Sequence, residues 1–233
     1  MYLPKHFLVE DSAILAQLIS EYPLAIIVGN LDGNLEVNHL PLMLSEDKTK
    51  LYGHIAKMNP LTKVASSGNA SVTAIFNGPN AYVTPSWYPS KQESGKVVPT
   101  WNYAAVHAQG TIKLIDDPQW LRSHVSQMTN IHEPTYQSTW KLDDAPEEYV
   151  QTMLKAIIGI EIDITSLLGK FKLSQNRPAE DYEAVVDQLS KSPKEALQEM
   201  LQYMKTPKNS LLRSGIAVFL QDGFCLRSLH KAI

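Results

Sequence analysis

The run VPTWNYAAVHAQG, Val98 to Gly110, places the indole of Trp101, the amide of Asn102, the phenol of Tyr103 and the imidazole of His107 on one β-prone segment. A strand with one face in the core and one in water alternates apolar and polar residues. Here both faces carry large rings or polar groups that need hydrogen-bond partners when buried. Such a strand suits contact with a ligand or a second subunit. A second cluster, GHIAKMNP (Gly53 to Pro60), runs a predicted strand into a turn bearing Lys57 and a helix start at Asn59-Pro60. Free backbone N–H groups, a positive dipole end and a lysine charge are the chemistry that holds a phosphate. No Walker or Rossmann glycine pattern accompanies them, and ordinary capping with a solvated lysine accounts for the same residues.

Three further clusters carry two readings each. In NHLPLML (Asn38 to Leu44), Pro41 cannot donate to a β-ladder, which predicts an edge or a bulge with backbone free for a ligand. An edge strand with an exposed His39 fits equally. In FNGPNAYVTPSWY (Phe76 to Tyr88), Trp87 and Tyr88 join Trp101 and Tyr103 in bracketing a polar loop. Dense aromatics stack on a planar ring, or they fill a core or a dimer interface. In KLSQNRP (Lys172 to Pro178), the polar run Ser174, Gln175, Asn176 ends a strand or simply turns into the next helix.

Other chemistries lack support. His39, His54 and His107 fall on separate predicted strands, so a three-histidine metal site is possible, but no spacing demands one and none is expected. No Gly-x-Ser-x-Gly elbow occurs, and Cys225 is the single cysteine, which argues against hydrolase chemistry and against an intrachain disulfide. A reducing, cytoplasmic setting is expected. No signal peptide and no apolar run of the roughly 18–20 residues needed to span a membrane is visible. The formal net charge of -3 over 233 residues lacks the basic excess of a nucleic-acid binder.

The elements that must position these residues are legible as periodicity. Asp11 caps a predicted helix over Ser12–Glu21, with Ile14, Leu15, Leu18 and Ile19 as its stripe and Pro23 as its stop. Strands are predicted at 24–30 and 35–44 around the Asp32-Gly33 turn, and at 51–56. A short helix to Ser67 is followed by a hairpin, 70–76 and 81–85, around Asn77 to Asn80. The stretch PSKQESGK reads as a loop, and the opening strand runs to Ile115. Helices from Pro118 and over 147–156 precede strands at 157–164 and 167–173. The remainder is helical: one helix over 178–189, then one opened by a capping box of Ser192 and Glu195. Roughly seven strands joined by short turns, with helices inserted, give an α+β reading: a small β-barrel, mainly antiparallel, decorated by helices.

Taken together, MYLPKHF, NHLPL, GHIAKMNP, FNGPNAYVTPSWY, VPTWNYAAVHAQG and KLSQNRP resemble the PaiB family of FMN-binding negative transcriptional regulators over about residues 1–180. The resemblance implies an FMN-binding split barrel over 1–176, a homodimer with FMN at the subunit interface, and a helical hairpin over 177–208. The segment after Asn209 departs from the family's pattern. The resemblance further implies that His39, Leu40, Pro41 and Leu42, with His54, Ile55, Ala56 and Lys57, contact FMN. Lys57 would hold the phosphate and Asn59 is a further candidate. Trp101, Asn102 and Tyr103 would close over the isoalloxazine from the partner chain, with Gln175 and Asn176 at the rim. The functions implied are a flavin- or redox-sensing regulator, a flavin-dependent oxidoreductase using NAD(P)H or a small molecule, or, third, a haem-binding or haem-degrading protein. No catalytic acid or base is placed, with His107 and Tyr103 as candidates. Direct DNA contact is weakly supported, because the C-terminal helix pair is mostly acidic.

Overall fold

The computed structural model describes residues 1–66 and 70–205. The expected C-terminal tail, 209–233, lies outside the described residues. The strands are β1 (Leu8–Val9), β2 (Leu24–Leu31), β3 (Asn34–Pro41), β4 (Met43–Leu44), β5 (Lys50–Ala56), β6 (Ser71–Val83), β7 (Thr100–Ile115) and β8 (Ile157–Lys172). The helices are α1 (Ser12–Glu21), α2 (Leu61–Ser66), α3 (Ser90–Ser94), α4 (Pro118–His132), α5 (Glu147–Lys155), α6 (Ala179–Ser190) and α7 (Glu195–Lys205).

One antiparallel sheet in the order β3-β2-β6-β7-β8-β5-β4, with β1 on β8, wraps the core. Its two ends meet: a methyl on Gly53 of β5 would sit 2.7 Å from Leu42 Cδ2 and 3.2 Å from the Pro41 carbonyl oxygen. Only hydrogen fits where those strands approach. The inner face is built by period-2 alternation. Along β7, Asn102, Ala104, Val106, Ala108, Gly110 and Ile112 are buried, while Trp101, Tyr103, His107, Gln109 and Lys113 face outward. Small inward residues leave room for Phe76 and Phe171, both fully buried. Helix α1 is capped by the Asp11 carboxylate, which accepts from the N–H groups of Ala13 and Ile14. It closes one mouth of the barrel with Leu15, Leu18 and Ile19, each side chain worth about 1.5–3 kcal/mol when buried.

Five expectations are corrected. Asn77 to Asn80 is not a hairpin turn, because β7 pairs with β6 on both sides of it (Asn77 with Ala105, Asn80 with Tyr103). Gly78-Pro79 are absorbed as a bulge. The strands 157–164 and 167–173 are one strand, β8, with a register shift opposite Gln109 and Gly110. The expected long strand 35–44 breaks at Leu42, whose N–H turns to the Pro23 carbonyl at 2.9 Å. Within PSKQESGK lies α3, ended by Gly95 in the left-handed region. At the start of α7 it is the Gln198 amide, not Glu195, that reaches back to the Ser192 carbonyl.

Candidate FMN site

The turn after β5 joins two of the sequence clusters. Asn59 Nδ2 donates to Asn38 Oδ1 at 2.7 Å, tying the turn to β3 next to His39. Asn59 Oδ1 accepts from the Leu61 N–H at 2.8 Å, so the same side chain caps α2. The Lys57 N–H is anchored on the Ala156 carbonyl, which leaves its side chain to project from the turn. Its ammonium lies 3.2 Å from Asp116 Oδ1, in a solvent-exposed pair worth little to stability. His39 is exposed on the outer face of β3, and Ala56 and Met58 are exposed beside Lys57.

Other expected contacts divide. Leu42 and Ile55 point into the core, so their side chains are spent on packing and only their backbone is left for a ligand. Leu40 is partly buried against the same core, and Pro41 closes the barrel against Gly53. His54 faces outward but lies beneath α4, its ring 5.4 Å from that of His124, and Trp120 stacks on His124. Burial lowers the pKa of His54, and its Nδ1 has no partner among the described residues.

The lid residues also part company. Trp101 and Tyr103 share the outer face, with Trp101 edge-on to Tyr82. Asn102, one residue between them, is fully buried on the opposite face and pairs with Ser174: its Nδ2 donates to Ser174 Oγ at 2.9 Å, and that hydroxyl donates back at 3.0 Å. An extended backbone cannot present all three side chains to one ring, so Asn102 belongs to the core. Gln175 is likewise committed. Its Oε1 accepts from the Leu173 N–H, and its Nε2 donates to the carbonyls of Phe171 and His6, leaving Asn176 as the exposed member of that turn. Within one chain, Lys57 meets Asp116 just past the C-terminal end of β7, while Trp101 and Tyr103 lie at the start of that strand, so they are not beside Lys57.

A small antiparallel barrel, pinched shut at Gly53 and faced with exposed aromatics, is the split barrel of flavin proteins, here of mainly antiparallel strands with added helices. The family described as "Putative FMN-binding domain" matches residues 1–166, and the chain belongs to it. FMN is the cofactor that family assigns. Protease synthase and sporulation protein PAI 2 of Bacillus subtilis is 30% identical over 207 residues, 88% of this chain and 97% of the relative. An uncharacterized protein of Emericella nidulans is 36% identical over 80% of this chain and 89% of its own length. Among solved structures, the FAD and haem binding protein from Mycobacterium smegmatis aligns with a TM-score of 0.54 at 16% identity, over 71% of this chain and 73% of that one. The flavocytochrome Anf3 from Azotobacter vinelandii aligns with a TM-score of 0.53 at 13% identity, over 78% of each chain. At these identities the solved structures carry the fold alone.

The donor set suits FMN. Lys57 would supply a half-exposed ammonium, held among the described residues only by a weak exposed pair, for a phosphate. Replacing Lys57 with alanine is expected to weaken FMN retention about tenfold or more, as one charge-assisted contact is lost. Fluorescence titration of flavin-free protein with FMN and with riboflavin checks this. Riboflavin, lacking the phosphate, should bind wild type and variant alike, and equal FMN affinities would remove Lys57 from the phosphate site.

Proposed function

We propose that the protein is a homodimeric flavoprotein of the negative-regulator type, in which FMN lies at the subunit interface and its occupancy or redox state is the signal. The supporting observation is the outer sheet face. Leu24, Leu35 and Val37 of the β2–β3 hairpin are 61%, 72% and 51% exposed, and Trp101 on the same outer face is 54% exposed. Exposed apolar side chains along one outer sheet face suit a cover, and a second copy would bring its own Trp101 and Tyr103 against the edge carrying His39 and Lys57. FMN supplies one- and two-electron redox chemistry when bound, and the protein's part is to bind and orient it and to exclude water. The Bacillus relative is named a protease synthase and sporulation protein, and the tie to sporulation in that name supports a regulatory role.

The regulation proposed is indirect. Helices α6 and α7 expose Glu180, Glu183, Asp187 and Glu195 and bury Tyr182, Val185, Leu189, Met200 and Leu201 against the barrel. An acidic, packed helix pair is a poor reader of a phosphate backbone. The second reading, a flavin-dependent oxidoreductase, is favoured by the open aromatic and cationic face around Tyr103.

Val37→Asp tests the interface. It introduces a charge on an exposed strand and leaves the core untouched, so the fold should persist while size-exclusion elution shifts from dimer to monomer and bound flavin falls with it. A variant that elutes and binds FMN as wild type does would end the interface reading. Reduction by NAD(P)H, set beside a salt-titrated DNA-binding assay, separates oxidoreductase from regulator.

A further inference from the structure

The outer face of β8 carries two charge patterns. At one end Glu161 and Asp163 are matched by Lys50 and Lys113: Lys50 Nζ lies 2.8 Å from Glu161 and 3.4 Å from Asp163, and Lys113 pairs with Asp163. At the other end Lys170 and Lys172 stand two residues apart on the same face, with Arg177 just beyond, and none meets a carboxylate among the described residues. The register sets Tyr103 opposite Lys172 and Ala105 opposite Lys170.

These cations are held in place. Lys170 Nζ donates to the Tyr2 carbonyl at 2.8 Å and lies 5.3 Å from the Tyr2 ring and 5.7 Å from the Tyr103 ring. Lys172 donates to the Thr100 hydroxyl and to the Trp101 carbonyl. An ammonium has three N–H donors, so both keep donor capacity. The Tyr103 hydroxyl has no partner among the described residues. Burial, then the charges of Arg177 and Lys170, lowers the pKa of Lys172, so the group carries repulsion that an anion would relieve. Between Tyr103 and His107 the intervening position on this face is Ala105, a small residue that is itself buried.

We propose that Lys170 and Lys172, with Tyr103 and the exposed ring of Trp101, form a binding subsite for the oxyanion of a planar organic acid. The carboxylate or phosphate takes the two ammonium groups and the phenol, and the aromatic rings take the planar body. Because the subsite shares its face with Trp101 and Tyr103, it presents that acid to the isoalloxazine. That last step rests on the interface reading above, whereas the anion binding does not. The subsite is distinct from the phosphate site at Lys57.

The test uses the full-length protein with Lys170→Gln/Lys172→Gln, which removes both charges and keeps most of each aliphatic stem. Benzoate and inorganic phosphate are the probes, so that a carboxylate source and a free-phosphate source are told apart. They are titrated into flavin-loaded protein by flavin absorbance and into flavin-free protein by tryptophan fluorescence. Wild type should saturate with at least one probe, and the variant should bind it about ten- to a hundredfold more weakly with FMN affinity unchanged. The single Lys170→Gln, at a half-exposed position, serves should the double variant not fold. Absence of saturable binding of either probe, or binding equal in wild type and variant, overturns the proposal. A fall in FMN affinity in the variant would hand these cations to the flavin phosphate instead. A fluorescence response in flavin-free protein without a flavin response would retain the subsite and remove its place beside the flavin.

Discussion

Gly110→Ala is expected to destabilise the protein by about 3 kcal/mol or more, because the space a side chain would need is filled by backbone. An ideal Cβ on Gly110 would lie 2.2 Å from the Asp163 carbonyl oxygen and 2.8 Å from Ile162 Cγ2. The reason is the register shift between β7 and β8. Gln109 pairs with Ser166 and Gly110 with Ile164, so Thr165 is the extra residue, and its hydroxyl donates to the Gln109 carbonyl at 3.1 Å. The bulge presses β8 onto β7 at the one position without a Cβ. A flexible side chain could swing away, but a carbonyl in a paired strand cannot move without breaking its ladder. The contrasting variant is Gly33→Ala. Gly33 has a φ of 84° but open space around its missing Cβ, so its cost is backbone strain alone, about 1 kcal/mol. Urea unfolding of both variants should rank Gly110→Ala well below Gly33→Ala. The reverse order would mean that β7 and β8 do not approach this closely.

That constraint sits inside VPTWNYAAVHAQG, and it shows which part of the segment was legible. The rings of β7 do not divide between its two faces as the sequence suggests: Trp101, Tyr103 and His107 share one face, and Asn102 with small residues fills the other. The direction of Asn102 follows from that alternation, yet the family resemblance grouped it with its neighbours as one lid. Its partner Ser174 is distant in sequence, and a pairing across that separation leaves no local trace. Asn77-Gly78-Pro79-Asn80 misled for the opposite reason. Its turn chemistry is strong locally, but the ladder to β7 on both sides outweighs it. The split of β8 into two strands has the same origin, since a bulge inside a long strand resembles a break. The link between Asn59 and Asn38 was invisible, although each residue stood in a cluster that the sequence had singled out. Lys172 stands at the head of the KLSQNRP cluster, but Lys170 carries no sequence signal of its own, because lysines on a strand usually meet carboxylates on the next one. Only the register shows that here they meet Tyr103 and Ala105.

The cover over His54 was also beyond the sequence, and it makes the protein sensitive to acid. Helix α4, opened by Asp117 and Pro118, lays Trp120 against Gly159, where an added Cβ would sit 2.3 Å from the indole. This seats His124 against His54, with His124 only 3% exposed and its Nε2 without a partner among the described residues. Burial, and then the neighbouring His54, holds the pKa of His124 down to about 4 from its ordinary 6.5. The unfolded chain therefore takes up a proton as the pH falls through 6.5, while the folded chain refuses it until about 4. Stability should be fully present above pH 6.5 and decline below it, and the decline should level off near pH 4 at a cost on the order of 3 kcal/mol. His54 is shifted in the same direction by burial and adds to the slope. The helix that protonation would loosen carries Trp120, so tryptophan fluorescence of flavin-free protein reports its undocking without interference from flavin release. His124→Leu removes the titrating group and keeps an apolar side chain under α4. Its stability should match or exceed wild type at pH 7.5 and fall less steeply by pH 4.5, with the residual slope belonging to His54 and the carboxylates. Parallel curves for the two proteins would show that His124 does not govern the acid limb.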